Sequence, residues 1–460
     1  MKMTKTISLL VLLFVSGTTL AQLNSTYQFD DIPGSSWLGN PAFVGQEKFF
    51  IGFPGLNALD VNAAHTGFTF NKTVENDNLK FNKVLSELND ANHLLFSTRL
   101  GILNGGFRIN QKWHVRFGAQ LVTQARISYS KSLFDLIYKG NGHPDIIGQN
   151  LDLSGLSFNS LSYTDFFAGA GTSFLNERLF VGANLHYLNG IAVAYTEKSE
   201  FSIYTDPDTY DISVNGDFTY NTNLAGDSTT FDIAQDIEDF ADQFQDPQDL
   251  PIGRGFAVDL GARFKLTDQL EIQAAAMNVG AIKFTENTAT YELDGSFTYQ
   301  GVDFDDLIDN PDSTITAFEA LGDSISDAFT AVNGSSDFAV PTNSQFTLAA
   351  NYAINQTNDL NVMFAHQRSF NHGFNTMSLM YRKKFGRILW LRGGAQYFDF
   401  NHVLIPVGFQ LNAGPVQFGL GTNNIIAAFA PTKTGFFTGH VQLALRFGKD
   451  RGRNIEVAEE

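Results

Sequence analysis

The chain has 460 residues, no cysteine, and 48 acidic against 30 basic residues, for a formal net charge of −18. These numbers exclude a disulfide framework, a thiolate metal site and a lipid-acylated cysteine, and the acidic balance argues against a nucleic-acid partner. Mean hydropathy is −0.09; that is too polar for a bundle of lipid-facing helices, whereas a membrane barrel meets lipid with alternate residues only.

Lys2 and Lys5 precede an apolar run from Ile7 to Val15, and small residues Thr19 and Ala21 follow. This predicts a cleaved secretory signal over residues 1–21. Residues 22–45 come before the first strand and hold Asp30, Asp31, Pro33, Gly34, Trp37 and the run Gly39-Asn40-Pro41-Ala42. Proline here is turn chemistry and not strand. Asn40 and Pro41 therefore lead the chain either into a barrel lumen, as a plug, or through the periplasm.

From residue 46 to 447 the chain alternates apolar and polar at period two. Trp113, Val115, Phe117, Ala119, Leu121, Ile127 and Tyr129 share one parity; His114, Arg116, Gln120, Gln124, Arg126 and Ser128 share the other. Phe256, Val258, Leu260, Ala262 and Phe264 alternate with Asp259, Gly261, Arg263 and Lys265, and Val441, Leu443, Leu445 and Phe447 with His440, Gln442 and Arg446. Successive strand side chains point to opposite faces, and charge is costly in lipid. Arg116, Arg126, His186, Asp259, Arg263, Lys265 and Arg446 are thus expected to line the lumen, as a cross-strand polar network or as a lining that guides a solute.

Short polar connectors occur at Asn110-Gln111, Asn176 to Arg178, Thr267 to Gln269, Asn355 to Asp359, Phe385 to Arg387 and Asn412 to Pro415. Between them lie Asn71 to Asn92, Ser130 to Ser160, Thr196 to Gly253 and Glu286 to Asn343, and shorter ones near Ser369 to Gly373, Phe400 to His402 and Thr422 to Thr434. Short periplasmic turns and longer outer loops are the asymmetry of outer-membrane barrels. The expected fold is all-β: a transmembrane antiparallel barrel of about fourteen strands whose long extracellular loops carry short helices. The aromatic load, Phe 44 and Tyr 14, suits girdles at two membrane interfaces. Pro54-Gly55-Leu56-Asn57 has turn composition, and a hairpin there would reverse the parity of the first strand.

Two loops carry no Lys or Arg, between Lys198 and Arg254 and between Lys283 and Arg368. Each holds an apolar stripe at helical spacing: Ile233, Ile237, Phe240 and Phe244, then Phe318, Leu321, Ile325 and Phe329. Asp206, Asp208 and Asp211 in the first, and Asp303, Asp305 and Asp306 in the second, are either solvated carboxylates or weak ligands for calcium or magnesium. No other cofactor is expected. Acidic loops beside anionic lipopolysaccharide repel it unless a divalent cation bridges them. No phosphate-binding glycine loop, nucleophile elbow or zinc-type histidine pair is present, so an enzyme is not expected. Residues 448–460 form a polar tail.

Asn40-Pro41-Ala42-Phe43, Ile51-Gly52-Phe53-Pro54-Gly55 and the run from Asp135 to Asn141 resemble an uncharacterised family of Bacteroidota outer-membrane barrels, a domain of unknown function. More distantly the chain is similar to the long-chain fatty-acid transporter family and to the barrel component of the type IX secretion and gliding system. The first of these resemblances implies fourteen strands, an N-terminal plug and transport of an apolar or amphipathic solute. The second implies a structural or secretion-associated barrel with a protein partner in the periplasm or the secretion machinery. Such barrels end on an aromatic residue, whereas Phe447 is followed by the polar tail.

Overall fold

The computed structural model describes residues 36–223, 253–299, 330–331 and 337–448, apart from 46, 76–77, 111 and 400. The expected signal segment, residues 22–35, Asp303, Asp305, Asp306, both helical stripes and residues 449–460 lie outside the described residues.

A closed barrel of 14 antiparallel strands makes up most of the chain. The first strand, β1, is formed by Phe49–Gly52 and Leu59–His65. It is followed by β2 (Ala91–Arg108), β3 (His114–Ser130), β4 (Ser157–Phe174) and β5 (Leu179–Thr205). Next come β6 (Gly253–Lys265), β7 (Leu270–Phe284), β8 (Gln345–Asn355) and β9 (Asn358–Ser369). The set is completed by β10 (His372–Phe385), β11 (Leu389–Phe398), β12 (His402–Leu404 and Val407–Ala413), β13 (Val416–Thr422) and β14 (Phe436–Phe447). Each strand pairs with the next, and β14 returns to β1 through Phe49↔Phe447 and Leu59↔Val441. Closure leaves no row of unpaired backbone groups.

Parity decides which side chains go in. Along β3, His114, Arg116, Gln120, Gln124, Arg126 and Ser128 are buried, while Phe117 between them is exposed. On β6, Asp259 is 2% exposed and its neighbour Leu260 56%. Large apolar side chains thus cover the outside and polar ones fill the inside. This is the reverse of a water-soluble barrel, and it is stable where the outer solvent is hydrocarbon.

The six short connectors sit together at one end, the turn end, and the longer ones at the other, the loop end. Among the short helices at the loop end are Phe81–Glu87 and then Lys131–Lys139. Ser130 caps the second by accepting the backbone N–H of Leu133 at 3.3 Å. Pro54-Gly55-Leu56-Asn57 is not a hairpin. Both segments of β1 run antiparallel to β2, with Ile51↔Gly105 on one side of the interruption and Asp60↔Arg99 on the other. Extra residues bulge out of a continuing strand, with Gly55 at φ 78° and Ala58 at φ 64°.

One expectation is corrected. The stretches read as loops from Thr196 and from Glu286 are partly sheet. β5 runs for 27 residues. Its outer half pairs with Ile212–Thr222, which pairs in turn with Ala289–Tyr299. Val214, Tyr220, Tyr291 and Leu293 alternate along these strands and are buried. Two loops thus satisfy each other's backbone groups above the barrel.

The interior changes with height. Its loop-end half is lined by buried apolar groups, including Leu161, Leu188, Val193, Phe284 and Phe370 on one wall and Leu95, Phe374, Phe398, Leu404 and Phe436 on another. The turn-end half carries ion pairs: Arg263 with Glu271 at 3.0 Å and Arg382 with Asp359 at 2.6 Å.

Candidate functional site in the barrel lumen

Ser36 to Gly45 lies against inward-facing positions of β3 to β7. Trp37, Asn40, Ala42 and Phe43 are each 3% exposed or less. The Trp37 ring sits 4.4 Å from that of Phe167 on β4. Asn40 Nδ2 donates to the carbonyls of Ala262 and Ala274 at 3.4 and 3.3 Å, and its Oδ1 accepts the Ala42 N–H at 2.9 Å. The Pro41 and Phe43 carbonyls accept from Arg116, Nη2 at 2.6 Å and Nη1 at 3.4 Å. Arg263 lies 4.3 Å over the Phe43 ring.

Two barrel glycines make room for this segment. A Cβ on Gly182 would stand 1.9 Å from the Pro41 carbonyl oxygen, and one on Gly261 2.1 Å from Asn40 Oδ1. Only glycine lets the two backbones come this close.

Beside the segment is a chain of paired charges. Arg116 Nε donates to Asn184 Oδ1 at 2.6 Å, and Asn184 Nδ2 to Asp259 Oδ2 at 2.8 Å. His186 stands between two carboxylates, Nε2 at 2.9 Å from Asp259 and Nδ1 at 2.9 Å from Asp165. Gln120 Nε2 donates to Asp165 at 2.6 Å and the Asn278 backbone N–H to Asp259 at 2.6 Å. Arg116, Asp165, Asn184, His186 and Asp259 are all at most 3% exposed. Buried charge is tolerable only when paired and hydrogen-bonded in this way. The space left beside the network, between Trp37, Tyr163, Asp259 and Asn343, is about 100 Å³, well below the roughly 300 Å³ of a small-molecule pocket.

All seven residues expected in the lumen lie on inward parity. Arg116, His186 and Asp259 are brought together. Arg263 pairs with Glu271, and Lys265 sits 5.1 Å over the Phe180 ring. Arg446 is half-buried near the turn end, and Arg126 is near the loop end. Sequence reasoning placed Gln120 on the polar parity of β3 but missed Asp165, Asn184 and Asn278. On β4, Tyr163 and Phe167 point inward with Asp165, so aromatic residues occupy both parities and hide the carboxylate between them.

Asp206, Asp208 and Asp211 form a hairpin tip beyond β5. Asp206 Oδ1 accepts the N–H groups of Asp208 at 2.8 Å and Thr209 at 2.9 Å. The bonds from Thr209 and then Asp208 hold this carboxyl below its ordinary range. Among the described residues no cluster of three or more His, Asp or Glu is arranged to hold a metal ion.

A family model matches residues 41–423. The chain belongs to DUF5723, a family of unknown function. No curated protein matches it. Among solved structures, this DUF5723 barrel is similar to the toluene transporter TbuX of Ralstonia pickettii, at 11% identity over 91% of this chain and 94% of that one, TM-score 0.42. It is also similar to the monoaromatic hydrocarbon channel CymD, at 11% identity over 91% and 94%, TM-score 0.43. A FadL homologue of Pseudomonas aeruginosa aligns at 10% identity over 93% and 97%, TM-score 0.28. The matched DUF5723 region begins at Pro41 and so takes in part of the lumen segment as well as the strands.

Proposed function

We propose that this barrel sits in the outer membrane of a Gram-negative cell and conducts an apolar or amphipathic solute, with residues 22–45 as its plug. The observation that carries this reading is the position of Ser36 to Gly45 inside the barrel, held against the inner wall by Arg116, Gly182 and Gly261. On the loop side of it, beyond the His186 network, the interior carries clusters of apolar rings that include Phe284, Phe370, Phe374, Phe398 and Phe436, a surface that favours transfer of apolar groups from water. The turn-side half carries ion pairs along its wall. A solute can thus gather above the segment but cannot pass until the segment moves.

Deleting residues 22–45 tests this. The deleted barrel, reconstituted in vesicles, should admit small dyes that the intact chain excludes. Unchanged permeability of a correctly closed barrel overturns the plug. A second reading, a structural or secretion-associated barrel, is favoured by one feature: the sheet that β5 builds with Ile212–Thr222 and Ala289–Tyr299 above the barrel. On that reading, removing this hairpin abolishes partner capture and leaves permeability alone.

A further inference from the structure

Arg126 stands apart from the other inward-facing cations. It is 4% exposed, its Nε donates to nothing, and among the described residues no carboxylate pairs with it. Arg116, Arg263 and Arg382 all have carboxylate or carbonyl partners. A buried guanidinium left without an anion is costly, so its surroundings are informative.

Arg126 lines a cavity of about 270 Å³ near the loop end. His93, His372, Ser128 and Ser157 share this wall. The two imidazole rings lie 4.4 Å apart, and His93 Nδ1 is 3.0 Å from Ser128 Oγ. One carboxylate, Glu197, also borders the cavity. It is exposed, and it accepts the Asn221 amide at 3.0 Å. The cavity is therefore rich in donors around one cation, Arg126, with its single described acid already engaged. Apolar rings flank it: Phe374 is 5.4 Å from His93 and 4.5 Å from His372.

We propose that Arg126, with His93, His372 and Ser128, binds an oxyanion, a phosphate or carboxylate group, at the loop end of the lumen. The planar fork of arginine suits two oxygens of such a group at once, and the hydroxyls offer further donors. With apolar rings beside it, the site takes the anionic head of an amphipathic solute. This deepens the transport reading above and rests on it for the tail, though not for the head.

The test uses the full chain in a non-ionic detergent and three probes: inorganic phosphate, octyl phosphate and octanol. Binding is read by calorimetry on wild type, Arg126→Gln and Arg126→Lys. Heat-modifiable gel mobility reports that each barrel has closed. Wild type should prefer octyl phosphate over octanol at least about tenfold, the scale of a charge-assisted bond. The Gln variant should lose that preference while keeping its octanol affinity. The Lys variant, which keeps the charge but not the fork, should fall between, and it serves if the Gln variant does not fold. No preference in wild type, or the same preference in the variants, overturns the proposal. Phosphate binding that depends on Arg126, with no binding of octanol, supports the oxyanion site and overturns the apolar-solute reading. Inorganic phosphate bound as tightly as octyl phosphate supports a free anion as occupant; octyl phosphate alone supports an amphipathic one.

Discussion

At the scale of single residues, the contact between the N-terminal segment and the barrel rests on missing side chains as much as on bonds. Gly182→Ala places a methyl where the Pro41 carbonyl lies, and Gly261→Ala does the same at Asn40. In each case the methyl meets the segment. Each variant should therefore release residues 36–45 to added protease and raise dye permeability while keeping heat-modifiable mobility. Asp259 behaves differently, because it accepts from His186, Asn184 and the Asn278 backbone together. Asp259→Ala removes one of the two carboxylates that face His186 and strands the Asn184 and Asn278 donors inside the lumen. It should cost about 3–5 kcal/mol of barrel stability, read as a lower urea midpoint of unfolding. Parity alone placed Arg116, His186 and Asp259 in the lumen. It could not say that they touch, because their contacts cross strands that lie far apart in the chain.

At the scale of elements, each strand works as a two-sided surface, and the cost of a charge depends on the side. Arg263 is tolerated on β6 because Glu271 of β7 meets its guanidinium at 3.0 Å. Leu260, on the same strand but facing out, is 56% exposed to the surrounding medium. Leu260→Arg should lower the folding free energy in lipid vesicles by about 2–4 kcal/mol, measured by urea titration. The hairpin tip beyond β5 is held by Asp206, whose carboxyl stays below the ordinary value of 3.8 through the Thr209 and Asp208 N–H groups. A depressed carboxyl stabilises above its unfolded-state value, and that contribution is lost as pH falls through the folded one. Protease nicking within residues 206–211 should therefore rise in strong acid and be unchanged between mildly acidic and neutral pH. Strand number and turn positions were legible in the sequence; the outer half of β5 and its partner hairpin were not. Acidic composition there reads as loop, and only pairing between two distant loops turns it into sheet.

At the scale of the whole molecule, closure is what separates this protein from a soluble sandwich of the same composition. Phe49↔Phe447 and Leu59↔Val441 join the first strand to the last. A closed ladder resists unfolding in mild detergent, so the native chain should migrate anomalously in a denaturing gel until boiled. It should also stay with membranes through carbonate and high-salt washes. Release by either wash, without detergent, would overturn the lipid-solvated barrel.

The sequence by itself determined the class of the fold and the alternation of those strands with a clear apolar and polar face, and it named seven charged or titratable residues as inward candidates. Those follow from local rules: side chains alternate, and charge avoids hydrocarbon. It also marked residues 22–45 as unlike strand but left two places for them. Only the tertiary structure decided that Ser36 to Gly45 packs against the inner wall of β3 to β7, that Asp165 completes the His186 network, and that Arg126 lacks a described carboxylate partner. Each of these depends on contacts between strands, which closure of the barrel creates and local patterning does not encode.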